Sequence, residues 1–332
     1  MKHVVHNACI TQVNAGGIRQ CDGLDGFGRQ WCVCETRIRQ ADKGNTMAQV
    51  RFAALVGFVA LTAVSPAFAG PAMWVVRTAH SEVFLFGSMG VKADTTWQSA
   101  KLWKAFNKST ELWVENPQER SNLNAESIKE WTVDASHSLA SQLTPSDSAR
   151  LETAVKRASI PFSALESSKP WFAYVQLEVI LEQQARLDPG NLPEKVFAKK
   201  AAESGKPIHS EFESLEAQLR FSAALPRAAQ IGLVGKALDD LEDGAAALDG
   251  RIAAWKAGQL AREISYVEHL RNAHPETFQS IGADRNALWV GRIKEMLSQP
   301  GAHFVCMGID HLVGPDSVVA QLEGAGIRVK RR

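Results

Sequence analysis

The sequence predicts an α/β (α+β) domain: a central mixed β-sheet formed by strands from the N- and C-terminal parts of the chain, flanked by helices, with a large helical middle segment. Three observations lead there. Short β-rich runs cluster early, at residues 73–77, 83–86 and 111–115, and late, at 302–307 and 327–330. Between residues 120 and 300 the apolar positions recur mostly at helical spacing, punctuated by Pro and Gly. An isolated hairpin is marginal in water, so the early and late strands have to pair to bury their apolar faces.

The domain is expected to occupy residues 70–332, because the first 69 residues read differently. Residues 47–51 are a short basic start, 52–64 an uncharged and mostly apolar run, and 65–69 end in Ala-x-Ala. These are the three parts of a secretory signal peptide, predicted at 47–69 with cleavage after Ala69. The apolar run of 13 residues is short for a membrane-spanning helix, which needs about 20. Export to the periplasm or outside the cell is the expected location, with membrane attachment only through this segment if it stays uncleaved. Residues 1–46 precede it and read as a spurious or disordered extension, with Met47 the expected start. A cysteine-rich metal module is the rival reading, from Cys9, Cys21, Cys32 and Cys34, but no Cys-x-x-Cys pair occurs among them.

Residues 1–69 carry seven Lys/Arg and four Asp/Glu; the rest carries 30 and 32, a net charge of −2. That balance gives no electrostatic reason to expect nucleic acid as a partner. Only Cys306 remains in the domain, so no internal disulfide is available, and a chain of this size has to be held by its core.

The elements follow in order. Residues 73–77 and 83–86 flank a polar stretch, Thr78 to Glu82, and predict a hairpin. Its second strand delivers Gly87, Ser88, Met89 and Gly90. A helix is expected over 97–107 and a third strand over 111–115; this strand–helix–strand order predicts a crossover. Helices are expected over 147–158, over 169–187 with Pro170 in its first turn, and over 193–204. A short strand at 207–209 leads to Glu211, Phe212 and Glu213. Further helices are expected over 213–223, 227–248, 258–273 and 284–297. The strand at 302–307 runs into Gly308-Ile309-Asp310-His311, which predicts a turn presenting Asp310 and His311 at a sheet edge, where ligands of α/β folds bind. A short helix over 315–322 and a last strand over 327–330 complete the chain. The Gly87–Gly90 and Gly308–His311 turns are expected side by side. Trp74, Trp97, Trp103, Trp113, Trp171, Trp255 and Trp289 lie mostly in apolar periodic runs and read as core.

Nucleotide-binding and serine-hydrolase signatures are absent: there is no Gly-x-Ser-x-Gly, P-loop, His-Glu-x-x-His or complete Gly-x-Gly-x-x-Gly. The candidate functional residues stand at element ends. His311 is a metal ligand or general base, or else a histidine that holds its loop. Glu115 ends a strand beside an apolar wall, as a metal ligand, a carboxylate of raised pKa, or a turn cap. Glu213, with Glu211 as a second candidate, follows the short strand, where a carboxylate also suits a helix N-terminus. Arg285 opens the last long helix, as a clamp on a carboxylate or a backbone carbonyl, or else as a surface ion pair.

Taken together these residues resemble the TraB/GumN family, whose relatives include the TIKI metalloproteases. The resemblance is carried by Pro71 to Val76, Val83 to Met89, Glu111 to Glu115, Phe197-Ala198 through Gly205 to Ile208, Phe212-Glu213, Gln218, Asp284 to Asn286 and, most specifically, Met307 to Pro315. It implies an α/β core with a helical insertion and two Gly-x-x-His motifs, one near each end. It also implies a metal-dependent, peptidase-like hydrolase site built from those histidines and acidic residues, acting on a peptide or glycan. Glu115, Glu213, Arg285, Asn286 and His311 match position by position, with Asp310 available beside them, and Glu115, His311 and Arg285 are the implied catalytic residues. The first histidine does not match: its place is Gly90, and His80 lies in the preceding turn. The implied divalent metal, zinc or manganese, then loses a ligand, since catalytic zinc sites use three protein ligands. The alternatives are an altered metal site filled by Glu115, Asp310 or Glu213, a pseudoenzyme that binds an envelope partner, or an accessory factor in polysaccharide export.

Overall fold

The computed structural model describes residues 70–117 and 123–332; the signal-peptide and cysteine-module readings lie outside these residues. Within them, six strands form one mixed sheet: β1 (Met73–Arg77), β2 (Ser81–Ser88), β3 (Glu111–Val114), β4 (Ile208–Ser210), β5 (Gly301–Gly308) and β6 (Val329–Arg331), in the order β4-β3-β5-β2-β1-β6. The ends of the domain do meet. β5 inserts between β2 and β3, parallel to both, and places Ser88 opposite Gly308. β2 is buried throughout and β5 everywhere but its ends, as parallel strands covered on both faces should be. That is why each carries an unbroken apolar run at its centre, Val83–Phe86 and Phe304–Met307. β1 and β6 add an antiparallel margin on the β2 side.

The hairpin forms as expected: Thr78 N–H donates to Ser81 O at 2.9 Å, and Thr78 Oγ1 accepts from Ser81 N at 3.0 Å. The next helix, Ala100–Lys108, starts three residues later than predicted because Ser99 caps it, its hydroxyl accepting from Leu102 N. Trp97 is left outside the helix, buried in the core and donating its Nε1–H to Asn191 Oδ1 at 3.0 Å. Trp74, Trp171, Trp255 and Trp289 are buried too, and Trp103 and Trp113 pack on the core from its rim.

The helical middle has a second core of its own, where Leu139, Leu151, Val155, Leu177, Val234 and Leu238 pack between helices Pro145–Arg157, Pro170–Gln184 and Arg227–Lys256. The last of these outruns its predicted end at 248. It bends at Gly244, whose φ of 74° and ψ of −179° are open to glycine and strained for other residues. Beyond the bend, Ile252 and Trp255 join the sheet core, and Trp255 Nε1–H donates to Gly87 O at 2.8 Å. Helices Ala125–Thr132 and Leu139–Gln142 were not predicted; Asn124 and Ser138 cap them.

The stretch after β5 differs from its prediction in two ways. Ile309–Leu312 is a short helix, not an open turn, and it lies so close to β2 that a Cβ on Gly87 would come within 2.3 Å of Ile309 Cδ1. Gly87 is therefore required by close packing. β5 is also an interior strand, so Asp310 and His311 stand at the C-terminal end of the sheet and not at its edge.

Candidate functional site

Parallel pairing of β2, β5 and β3 brings three strand ends to one place. β2 delivers Ser88 to Gly90, β3 delivers Glu115 and β5 delivers Gly308 to His311. Helix Asp284–Ser298 adds Arg285 and Asn286 from its first turn, and helix Pro193–Glu203 adds Glu194. Except for buried Asn286, these residues line a cavity of about 360 Å³ whose opposite wall comes from helices Pro170–Gln184, Arg227–Lys256 and Ala261–Ala273.

His311 is buried and held from both sides. Its Nδ1 lies 2.6 Å from Asn286 Oδ1, and its Nε2 lies 2.8 Å from Glu115 Oε1. Asn286 donates its own amide to Asp316 O at 2.9 Å, so its oxygen faces the imidazole and Nδ1 carries a proton. With Glu115 ionised, Nε2 carries the second proton, and the pair is an imidazolium facing a carboxylate. Burial opposes charge on His311, but the Glu115 and Asp310 carboxylates outweigh it and raise its pKa. Burial likewise pushes Glu115 up, yet His311, Arg285 and the Gly308 N–H hold its pKa down at about 2. That N–H donates to Glu115 Oε2 at 3.1 Å.

Glu194 is the unpredicted member. It is buried against Glu115, and Asn116 Nδ2 donates to its Oε2 at 3.1 Å. Burial and the Glu115 charge push it up to about 8. Two carboxyl groups in contact thus take opposite states at neutral pH, one ionised and one protonated. A Glu just behind Pro193 at a helix start reads in sequence as a partner for the helix dipole. Nothing in the sequence marks it as buried.

Arg285 holds carboxylates within the protein, chiefly that of Glu211. Its Nε donates to Glu211 Oε1 at 2.8 Å and its Nη2 to Glu211 Oε2, with Glu115 Oε1 farther off at 3.5 Å. Trp289 Nε1–H also donates to Glu211 Oε2, at 3.2 Å. Glu211 is buried, whereas Glu213, expected among the metal donors, is exposed and outside the cavity. Glu211 N–H donates to Val114 O, continuing the β4 pairing by one residue and turning Glu211 inward. Asp310 lines the cavity but is exposed. Across from these groups, Lys236 sits between Glu178 at 3.2 Å and Asp240 at 2.8 Å, and Arg251 pairs with Glu263 at 2.7 Å. The Lys236–Asp240 pair is at i,i+4 spacing on one helix, whereas the approach of Glu178 to Lys236 from another helix left no sequence signal.

Whether a divalent metal fits can be tested on the donors. His311 Nε2 and Glu115 Oε1 stand together, but among the described residues no three His, Cys, Asp or Glu side chains converge as a metal-holding group. Position 90 faces the cavity, and a Cβ there would come within 2.9 Å of Leu187 Cδ1. Leu187 Cδ1 is the one atom such a Cβ would have to displace. The residues present therefore do not complete a three-donor centre of catalytic zinc type.

The family model for the TraB/PrgY/gumN family matches residues 72–331, which is the whole domain apart from its outermost residues. No curated protein and no solved structure matches the chain.

Proposed function

From the premise that this chain belongs to the TraB/PrgY/gumN family, we propose that it is an exported protein with the scaffold of a peptidase-like, metal-dependent hydrolase whose metal centre is impaired. The observation that carries this reading is the His311–Glu115 pair at 2.8 Å, at the strand ends of a cavity where position 90 supplies no donor. Two donors hold a divalent metal such as zinc or manganese weakly, and here each is already engaged by the protein. No step is routed through the metal. The chain's own residues hold protons at defined atoms: Glu115 is an ionised acceptor, and Glu194 an acid of pKa about 8 able to give a proton to a leaving group. The substrate class this favours is a peptide or glycan segment entering along the cavity.

A second reading has its own observation. A neighbouring groove of about 480 Å³ shares Glu115, Asn116 and Arg285 with the cavity and carries Val175 and Val179, which are 40% and 43% exposed. Exposed apolar residues beside charged ones suit the retention of a ligand without turnover. The experiment that separates the readings is metal analysis of the purified protein beside Gly90→His, with peptide hydrolysis followed in both. The proposal expects low zinc or manganese content in the wild type and higher occupancy in Gly90→His, once Leu187 rotates away. No bound metal in either protein would sink the hydrolase-scaffold reading and leave the binding one.

A further inference from the structure

A second cavity, of about 510 Å³, lies on a different part of the molecule and is lined by cations over an apolar floor. We propose that this face, built by β1, β2, β6 and helix Ala100–Lys108, docks on the anionic headgroups of a lipid membrane.

Sheet pairing shows how the face is made. Residues paired across strands project to the same side. Arg77 pairs with Glu82, Val75 with Phe84 on one flank and with Lys330 on the other, and Met73 with Phe86. Alternation along β6 puts Arg332 on the same side as Lys330. Helix Ala100–Lys108 covers part of this surface and brings Lys101, Lys104 and Lys108, whose spacing keeps them on one helical face. Five cations therefore line the cavity around a floor that includes Met73, Phe84 and Ala105, with Lys330 on the same side of the sheet and Glu82 the one acidic side chain lining the cavity. Glu82 is already paired with Arg77 and Lys108. The remaining four, Lys101, Lys104, Lys330 and Arg332, stay available to an external anion.

Charge complementarity and chain continuity select the occupant. The domain as a whole carries a net charge of −2, so this face is a local asymmetry that gives the molecule a direction. A phosphate headgroup satisfies the cationic rim. Gly70 borders the face: a small adjoining groove is lined by Gly70, Pro71, Lys101 and Arg332. The apolar run at 52–64 ends six residues before Gly70, at most roughly 20 Å of extended chain. While that run is in a bilayer, the basic face is tethered within reach of the same surface. An apolar segment and a polybasic patch together make the two signals that stable attachment requires.

The test uses the full-length chain sedimented with vesicles of phosphatidylcholine alone or of phosphatidylcholine with phosphatidylglycerol. The apolar segment contributes equally to both, so the ratio of affinities isolates the basic face. The proposal expects a preference for the anionic vesicles that disappears at high salt. It expects that preference to fall about 30-fold in Lys101→Gln/Lys104→Gln, from the known contribution of each basic residue near an anionic surface, with an unchanged thermal melt. Equal affinity for both vesicle types would overturn it, as would an undiminished preference in the double variant. Binding to soluble heparin without a preference for anionic vesicles would likewise overturn it and assign the face to a soluble polyanion.

Discussion

Replacing Glu194 by Gln should make the protein more stable at pH 8 while leaving it nearly unchanged at pH 5. Glu194 is 3% exposed and lies against ionised Glu115, and its pKa is raised from 4.5 to about 8. A carboxyl group whose folded pKa is raised contributes stability that is fully present below its unfolded value. That contribution is lost as pH rises through the folded value, because the unfolded chain ionises first. The window therefore runs from about 4.5 to about 8. At roughly 1.4 kcal/mol per pKa unit, the wild type loses on the order of 4 kcal/mol across it. For a domain of this size that is a fall in Tm of about 10 °C. His311, also raised, acts in the same direction: its contribution is present below 6.5 and lost as pH climbs through its folded value. Glu115 acts oppositely and elsewhere, since its contribution is present above 4.5 and is lost only as pH falls through about 2. Glutamine keeps the neutral form's shape and its hydrogen bond from Asn116, so Glu194→Gln should remove most of the slope and leave the part owed to His311. Thermal melts of both proteins across this pH range measure it. A wild-type Tm that is flat or rises with pH, or a variant that keeps the full slope, would refute the assignment of a proton to Glu194.

Two further substitutions probe the same cluster. His311→Ala strips one face of Glu115, whose side chain is only 14% exposed, and leaves Asn286 Oδ1 without its donor; it should cost about 3–5 kcal/mol in urea denaturation, the range for breaking a buried pair, and a loss under about 1 kcal/mol would show the pair to be solvated. Arg285→Lys gives up the two-pronged bond to Glu211 that a single ammonium cannot reproduce. It should destabilise by about 1–3 kcal/mol, and a double-mutant cycle with Glu211→Gln should return a coupling energy of at least about 1 kcal/mol; additive losses would mean that Arg285 acts elsewhere.

The sheet was legible because its signals are local and redundant. β2 and β5 each carry a central apolar run, Val83–Phe86 and Phe304–Met307, that leads straight into a glycine, and burial on both faces demands that composition. Helix starts were less legible where a single polar residue decides them. Ser99 moved one start past Trp97, and Asn124 and Ser138 created helices in a stretch with little apolar periodicity. The long helix Arg227–Lys256 was read as ending at 248, just before Asp249 and Gly250; the chain bends earlier, at Gly244, and stays helical through both of those residues. At the helix starts a side-chain hydrogen bond outweighed the average propensity of the window.

The site was legible only where a residue sits at the end of a strand. Glu115 and His311 were identifiable because β3 and β5 point them, and their meeting follows from the register that sets Val114 beside Cys306. Glu194 and Glu211 come from segments whose approach depends on how the helical insertion folds back, and no spacing in the chain encodes it. Gly90 shows the complementary case. In sequence it is a gap in a motif. In the structure the gap is covered by Leu187, from the loop after helix Pro170–Gln184, whose Cδ1 would clash with any Cβ at position 90. A side chain at position 90 therefore has to displace Leu187 Cδ1, the far end of a flexible side chain, so a histidine placed there couples its own orientation to the rotamer of Leu187.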